Sequence, residues 1–184
     1  MLLDLLVRIM TLFVLTEDAE ALQRTAPEPI TIEAARANIA AARIAGAIYR
    51  LDADLLLSIA AHESRYQVDA TTPERGGKVS CGVMTPKPLA RCPVGQTLLD
   101  GYLAGAAHIR NDWLTAMHGN ELLALQGVAG GGVLINACKL GPVWIRPGVD
   151  ACKTPQVFWA RADWIKRERT RVRWQSAQAH KPRT

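Results

Sequence analysis

One carboxylate stands in line with the apolar residues of its own predicted helix. Three residues precede Glu63 at i−7, i−4 and i−3, the spacing of a single helix face: Leu56, Ile59 and Ala60. Burial disfavours the charged form of a carboxylic acid, so the pKa of Glu63 should rise. A carboxylic acid that stays protonated near neutral pH can give the leaving oxygen of a glycosidic bond the proton that it requires. On spacing alone, the other interpretation is that Glu63 lies at the polar edge of the helix, paired with Arg65 or Lys78.

Three motifs lie around and after Glu63: AAHESRYQVDA at 60–70, GVMT at 82–85 and GAAHI at 105–109. Together they resemble the signature of the soluble lytic transglycosylase family. In that family an apolar helix ends in Glu-Ser and is followed by an aromatic residue and an Asn/Asp-Ala pair. A Gly-Leu-Met-Gln stretch and a Gly-x-x-Tyr-Leu helix come later. The resemblance covers roughly residues 45 to 135, and its specificity lies in the order and spacing of the motifs together.

The resemblance implies a mainly α, lysozyme-like helical domain with a small β and loop segment. It implies that Glu63 is the general acid and base that cleaves the bond between N-acetylmuramic acid (MurNAc) and N-acetylglucosamine (GlcNAc) in the glycan strands of peptidoglycan. No second catalytic carboxylate is implied, because in this family the 6-hydroxyl of the substrate attacks its own anomeric carbon and gives a 1,6-anhydro product. Ser64 would orient the acid or the substrate, and Gly82 and Met84 would line the sugar groove. No cofactor is expected.

Two positions depart from the family pattern. Thr85 stands where the family usually has Gln, so one hydrogen bond to the sugar is in doubt, although Thr85 is still expected to bind substrate. The family's Ala-Tyr-Asn-Ala-Gly element falls at residues 125–130, which read LQGVAG and lack its tyrosine. Either Tyr66 or Tyr102 takes the place of that tyrosine, or activity is reduced. Tyr102 is therefore included among the predicted substrate-binding residues.

Other residues that could do chemistry have simpler interpretations. Asp69 could be the second carboxylate of a hydrolase, but the favoured interpretation is that it caps the loop after the helix. Among the five tryptophans only Trp144, in a predicted loop, is expected to bind sugar, and the others are expected to be packing anchors. No Gly-x-Gly-x-x-Gly after a strand and no Gly-Lys-Ser/Thr motif occurs, so no nucleotide partner is expected.

Four cysteines fall in two local pairs, Cys81 with Cys92 and Cys138 with Cys152. None belongs to a Cys-x-x-Cys motif and no His stands at zinc-site spacing from them, so no metal site is expected. An even number of cysteines in loop-like surroundings favours disulfides in an oxidising compartment. The local pairs are the simplest of the three connectivities that four cysteines allow, and reduced, buried thiols are the alternative.

Positive charge is concentrated at the C-terminus. Residues 153–184 contain nine Lys or Arg and two acidic residues, a net charge of +7, while the whole chain carries +5. Such a segment would attract anionic cell-envelope polymers, an anionic membrane or nucleic acid, or would attach the protein to a larger assembly. The alternative is a solvated helix face that only increases solubility.

The composition favours a mainly helical chain, because Ala and Leu dominate and an apolar share of 49% is enough for a core. Thr31 and Asp52 are predicted to cap helices that end near Tyr49 and Tyr66. Further helices are predicted over 98–117, 121–128 and 156–173, a short extended segment within 79–84, and a loop over 143–155. The glycines of 127–132 are not expected to be helical throughout.

We divide the chain into an N-terminal amphipathic helix (1–24), a lysozyme-like catalytic domain (30–155) and a basic C-terminal helix and tail (156–184). Residues 1–16 are apolar but lack a basic start and a small-residue cleavage site, which argues against a signal peptide. The leading hypothesis is a lytic transglycosylase of the periplasm or cell envelope, delivered as a phage virion component or a secreted wall-degrading enzyme. The rivals are a hydrolytic muramidase, a non-catalytic module with the lysozyme fold, and a small nucleic-acid-binding protein that acts through its basic tail.

Overall fold

The computed structural model describes residues 2–85 and 88–179 of the 184-residue chain. Helix makes up 67% and strand 6%, which confirms the predicted mainly α class. The α-helices of the described residues are α1 (Leu2–Leu12), α2 (Thr16–Thr25), α3 (Ile32–Tyr49), α4 (Ala53–Glu63), α5 (Leu98–Ala107), α6 (Glu121–Cys138) and α7 (Thr154–Ala179). Two antiparallel hairpins complete them, β1 (Thr71–Pro73) with β2 (Val79–Cys81) and β3 (Trp144–Arg146) with β4 (Val149–Asp150). The second hairpin lies in the stretch that was expected to be a loop.

Helix α4 lies at the centre of the core. Its residues 54–61 are all buried, because the run LLLSIAA has no polar face to turn toward solvent. Helices α3 and α7 pack against it, and α5 packs against α3. The polar side chain in the run, Ser58, donates a hydrogen bond of 2.7 Å to the carbonyl oxygen of Phe158 on α7. Helix α4 therefore leaves the core only in its last turn, at His62 and Glu63.

Side-chain caps start the two helices that carry the core, as the sequence predicts. The hydroxyl oxygen of Thr31 accepts a hydrogen bond of 3.1 Å from the backbone N–H of Ala34 at the start of α3. The carboxylate of Asp52 accepts one of 2.8 Å from the N–H of Asp54 at the start of α4. Helix α3 ends at Tyr49, where its end is predicted.

The N-terminal segment expected as a single helix contains two, α1 and α2, separated by a turn. Val14 in that turn is buried, whereas Leu12 and Phe13 are 82% and 72% exposed. Helix α1 packs on α3, and α2 packs on both α3 and α7. The segments predicted at the two ends of the chain thus share one core with the predicted catalytic domain, and the division into three segments stays a prediction.

The C-terminal helix begins at Thr154, two residues before the predicted segment. Lys181 and Arg183 of its basic tail lie outside the described residues. Four of its cations pair with acids of the same chain: Lys166 with Asp52, Arg169 with Asp54, Arg171 with Glu168 and Arg173 with Asp18. Much of the positive charge from which a polyanion partner is predicted is therefore balanced inside the fold.

Helix α6 departs from helical geometry at Gly130 and Gly131, within the glycines that are not expected to be helical throughout. Gly131 has a φ of 67°, in the left-handed region that glycine enters without a steric penalty. By length and composition α6 would suffice to cross a membrane, with a mean hydropathy of 1.3 over 18 residues, of which 28% are buried. Gly130 is exposed at this break.

Both local cysteine pairs form disulfides, Cys81–Cys92 and Cys138–Cys152. The first ties β2 to the loop before α5, and the second ties the end of α6 to the turn before α7. They close chain loops with sequence separations of 11 and 14 residues. Each such closure stabilises the fold by about 3 kcal/mol through the entropy of the unfolded chain. Because disulfides persist in oxidising compartments, the pair of them indicates an extracytoplasmic environment.

Candidate active site

Glu63 is the last residue of α4, which ends three residues earlier than the sequence predicts. The helix stops because the next residues leave helical geometry: Arg65 and Tyr66 have φ values of 55° and 68°. Non-glycine residues rarely adopt the left-handed region, and such strained backbone is concentrated at functional sites. The hydroxyl of Ser64 holds the turn, because it donates to the carbonyl oxygen of Val83, at 2.7 Å, and lies 3.0 Å from that of Ala60.

The Glu63 side chain reaches into a cleft of ≈ 400 Å³. Part of its wall comes from the end of α4, the loop after β2 and the β1–β2 hairpin. The rest comes from helix α6 and from the π-helical turn (His108–Leu114) that follows α5. The lining includes Glu63, Thr85, Glu74, Ser80, His108, Trp113 and the glycine-rich segment 127–131. The cleft thus brings polar side chains of the β1–β2 hairpin, the loop after β2 and the π-helical turn around Glu63.

The protonation of Glu63 is set by its surroundings. Burial raises its pKa from an ordinary 4.5 to about 7. The hydrogen bond from Thr85 opposes this rise by favouring the charged form, and the negative charge of Glu74 adds to it. Near neutral pH a large share of the molecules therefore carries Glu63 as a neutral acid with a proton to donate.

Thr85 contacts the acid directly. Its hydroxyl donates a hydrogen bond of 3.1 Å to Oε2 of Glu63. The backbone at Thr85 is left-handed, with a φ of 39°, and its N–H donates to the carbonyl oxygen of Gly82 in a tight turn. For a β-branched residue this backbone is an outlier, which the turn after β2 must impose. Thr85 was expected to bind the substrate; in the structure its hydroxyl is directed at Glu63.

A second carboxylate, Glu74, lines the same cleft. It lies at the turn of the hairpin in which Pro73 pairs with Val79, and its Oε1 accepts a hydrogen bond of 2.8 Å from the buried hydroxyl of Ser80. Asp69, the carboxylate considered from sequence, instead lines a separate cavity beside Gly82. If a second acid takes part in chemistry at this cleft, its position favours Glu74 over Asp69.

The π-helical turn contributes an aromatic side chain held by a histidine to the cleft. Trp113 Nε1–H donates a hydrogen bond of 2.8 Å to Nε2 of His108, and Nδ1 of His108 lies 2.6 Å from Oδ2 of Asp112. Since Nε2 accepts, the imidazole is the tautomer that carries its hydrogen on Nδ1 and donates it to Asp112. The two contacts fix both the imidazole and the indole at the edge of the cleft.

Three further residues predicted to bind substrate do not line the cleft. Ser64 is buried, and its hydroxyl is used by the turn at the end of α4. Gly82 lies in the separate cavity with Asp69, where a φ of 84° explains why a glycine is needed. Met84 is 2% exposed and packs against Gly105 so closely that a Cβ there would stand 2.4 Å from the Cβ of Met84. These residues shape the loop that presents Thr85 and the end of α4. Gly82 and Met84 do not line this cleft as expected, whereas the prediction that Ser64 orients the acid or the substrate stays a prediction.

The two tyrosines considered as replacements also lie inside the fold. Tyr102 is fully buried and donates a hydrogen bond of 2.9 Å to Oδ1 of Asn38, so it cannot bind substrate as predicted. Tyr66 is buried as well, its hydroxyl has no hydrogen-bond partner among the described residues, and burial raises its pKa. The aromatic side chain that does line the cleft is Trp113. Trp144, the tryptophan expected to bind sugar, lies on β3 away from it.

Within residues 2–85 and 88–179, no group of three His, Cys, Asp or Glu side chains could hold a metal ion. No known protein family matches the chain, and neither a curated protein nor a solved structure matches it.

The cleft residues that were not singled out from the sequence include Glu74 and Trp113. The signal for Trp113 is its distance of five residues from His108, which makes the two neighbours only where the helix has π-type hydrogen bonds. The signal for Glu74 is its place at the turn of a hairpin that begins shortly after Glu63. Neither signal is specific without the hairpin register and the helix geometry.

Thr85→Val is expected to raise the pKa of Glu63 further. Valine keeps the β-branched shape but removes the hydroxyl, whose hydrogen bond favours the charged carboxylate. A carbon-13 NMR titration of the Glu63 carboxyl should therefore show its midpoint at a higher pH than in the parent protein. An unchanged or lower midpoint would contradict the bond, and Thr72→Val, which changes a second threonine of the cleft, is the matched control.

Proposed function

We propose that the chain is a peptidoglycan lytic transglycosylase with a lysozyme-like fold, in which Glu63 is the catalytic acid and base. The observation that carries the proposal is a carboxylic acid with a pKa raised to about 7 inside an open cleft. General acid catalysis is most effective when the pKa of the acid lies near the working pH. The motifs around Glu63 supply the expectation that the substrate is the glycan strand.

The reaction needs only one carboxyl group. Glu63 gives its proton to the oxygen that joins C1 of MurNAc to GlcNAc, and the C1–oxygen bond breaks. The 6-hydroxyl oxygen of MurNAc then bonds to C1, and its proton passes to the Glu63 carboxylate, which regenerates the acid. The Thr85 hydroxyl stabilises that carboxylate between the two steps, because it donates to the charged form.

The rim of the cleft suits an extended polymer. The segment 127–131 includes Gly130 and Gly131, where α6 departs from helical geometry, so backbone borders part of this side of the cleft. Backbone N–H and carbonyl groups at such a rim can bind hydroxyl and acetamido groups of a sugar chain, and the missing side chains leave room for it.

Glu74 supports a second candidate, a muramidase that uses water. In this alternative Glu63 again protonates the leaving oxygen, while Glu74 accepts a proton from a water molecule that attacks C1. The product then carries a free reducing end on MurNAc in place of a 1,6-anhydro ring. The observation that favours this candidate is that the charge of Glu74 is close enough to act on the pKa of Glu63.

Digestion of purified peptidoglycan below pH 7, followed by mass spectrometry of the soluble fragments, tests the proposal. We expect 1,6-anhydro-MurNAc ends, which are one water lighter than hydrolysed ends, from the parent protein and from Glu74→Gln. Reducing ends that take up oxygen-18 from labelled water, and that disappear in Glu74→Gln, would establish the muramidase instead. Absence of soluble fragments from the parent protein would leave a non-catalytic module with this fold.

The setting of this activity follows from the disulfides. A protein whose fold includes Cys81–Cys92 and Cys138–Cys152 is suited to the periplasm or the cell envelope, where peptidoglycan lies. We propose delivery as a virion component or as secreted cargo. The cations of α7 that remain exposed, such as Arg167, would hold the protein to anionic envelope polymers.

A further inference from the structure

Trp113 lies on the π-helical turn that follows α5, and the π-helical geometry determines which way its side chain points. In an α-helix two residues five positions apart point about 140° away from each other. In a π-helix the hydrogen bonds join residues five apart, so such residues lie one above the other. His108 and Trp113 meet in this way, with 2.8 Å between the indole nitrogen and Nε2 of His108.

The indole of Trp113 packs directly against Gly127 of α6. A Cβ at this position would stand 2.3 to 2.7 Å from three carbon atoms of the six-membered ring of Trp113, closer than atoms can approach. Only a glycine therefore lets the ring lie against the backbone of α6. Packing against α6 and the hydrogen bond to His108 restrict rotation of the indole, while the remainder of the half-buried ring borders the cleft.

The charges of the cleft restrict what can lie on this ring. Glu63 and Glu74 are its acidic groups, and no Lys or Arg is among the described residues that line it. Phosphate-bearing ligands such as nucleic acid are therefore disfavoured. A neutral pyranose presents a face of C–H groups that packs on an indole, and its hydroxyl and acetamido groups can bind the backbone of 127–131.

We propose that Trp113 is the stacking platform of a GlcNAc subsite beside Glu63, and that His108 is the positioning residue that holds its plane. The ligand class rests on the proposed function, because it is the sugar of the same glycan strand. Fixing the ring before binding lowers the entropy cost of placing the sugar, and this gives the π-helical turn and Gly127 their role.

Titration of chitotriose, three linked GlcNAc units, into the nitrogen-15-labelled Glu63→Gln protein tests the platform without turnover. The indole N–H signals report each tryptophan separately, and Trp113→Phe assigns the one in question. We expect the Trp113 signal to shift and the Trp144 signal to stay. Trp113→Leu should bind roughly tenfold more weakly, whereas Trp144→Phe, an exposed tryptophan outside the cleft, should bind as the parent does.

The role of His108 is tested by a pair of substitutions. His108→Gln keeps an acceptor for the indole N–H and should retain chitotriose affinity close to that of the parent. His108→Leu removes the acceptor and should weaken binding and shift the indole N–H signal of Trp113 even without sugar. If thermal midpoints match and both variants bind alike, His108 does not position the ring.

The outcomes separate the subsite from the catalytic proposal. Chitotriose binding that shifts the Trp113 signal, with no soluble peptidoglycan fragments from the parent protein, would keep the platform and remove the catalytic activity. Anhydro products from a protein in which only other tryptophans respond to sugar, or none does at millimolar chitotriose, would overturn the platform and leave Glu63 as the acid.

Discussion

Glu63→Gln is expected to reduce glycan cleavage by about a thousandfold or more, because the amide has no proton to donate to the leaving oxygen. The same substitution should make the folded protein more stable at pH 8. The pKa of Glu63 is about 7 in the folded chain and takes its ordinary value of 4.5 in the unfolded chain. Between these values the folded state holds a proton that the unfolded state has lost, so stability decreases as pH rises through that window. Above it, the parent protein bears a buried charge that Gln lacks.

Urea unfolding at pH 4 and at pH 8 measures the second effect. We expect parent and variant to be alike at pH 4 and the variant to be about 2 kcal/mol more stable at pH 8; part of the full shift is lost because the side chain keeps some access to solvent. Asp69→Asn, an exposed acid in a different cavity, should change neither activity nor this pH dependence. A loss of activity with an equal loss of stability at both pH values would assign Glu63 a structural role.

The helices were predictable because their signals are local. Thr31 and Asp52 cap helices that begin next to them, and a cap needs only the three or four residues that follow. The end of α4 was predicted less well, because the turn that follows it is held by residues far away in the sequence, such as Glu28, which pairs with Arg65. Ser64 also donates to the carbonyl oxygen of Val83. A helix cap depends on one short segment of the sequence, whereas the end of α4 depends on contacts between segments that are far apart in the sequence.

The candidate site shows the same difference between features with a local signal and features that depend on distant segments. Glu63 could be found from the apolar stripe and the motif, both of which are contiguous in sequence. Thr85, Glu74 and Trp113 approach it through a turn, a hairpin register and a π-helical turn. A shift of one residue in that hairpin would turn Glu74 to the other face. The sequence therefore indicates Glu63 as a candidate acid but does not indicate the side chains that surround it.

The charge of the C-terminal segment shows a further limit of composition. Its excess of cations predicts a polyanion partner. However, Asp18 on α2 is only 1% exposed and forms ion pairs with three arginines. Arg43 of α3 and Arg173 of α7 lie 2.6 and 2.7 Å from its carboxylate oxygens, and Arg169 of α7 lies 3.3 Å away. One buried acid thus joins three helices, and these arginines stabilise the fold by pairing with it.

Asp18→Asn is expected to lower the free energy of unfolding by about 3 kcal/mol, the low end of what breaking a buried ion pair costs, because two of the three arginines keep access to water. Removing the carboxylate leaves three guanidinium groups converging on a neutral amide. The midpoint of urea unfolding at an unchanged slope measures the loss. Asp52→Asn is the matched control, since its ion pair with Lys166 of α7 is exposed and should contribute less than about 1 kcal/mol. If both substitutions cost less than about 1 kcal/mol, α7 is held by its apolar face, with Phe158 and Ile165, and the buried acid adds little.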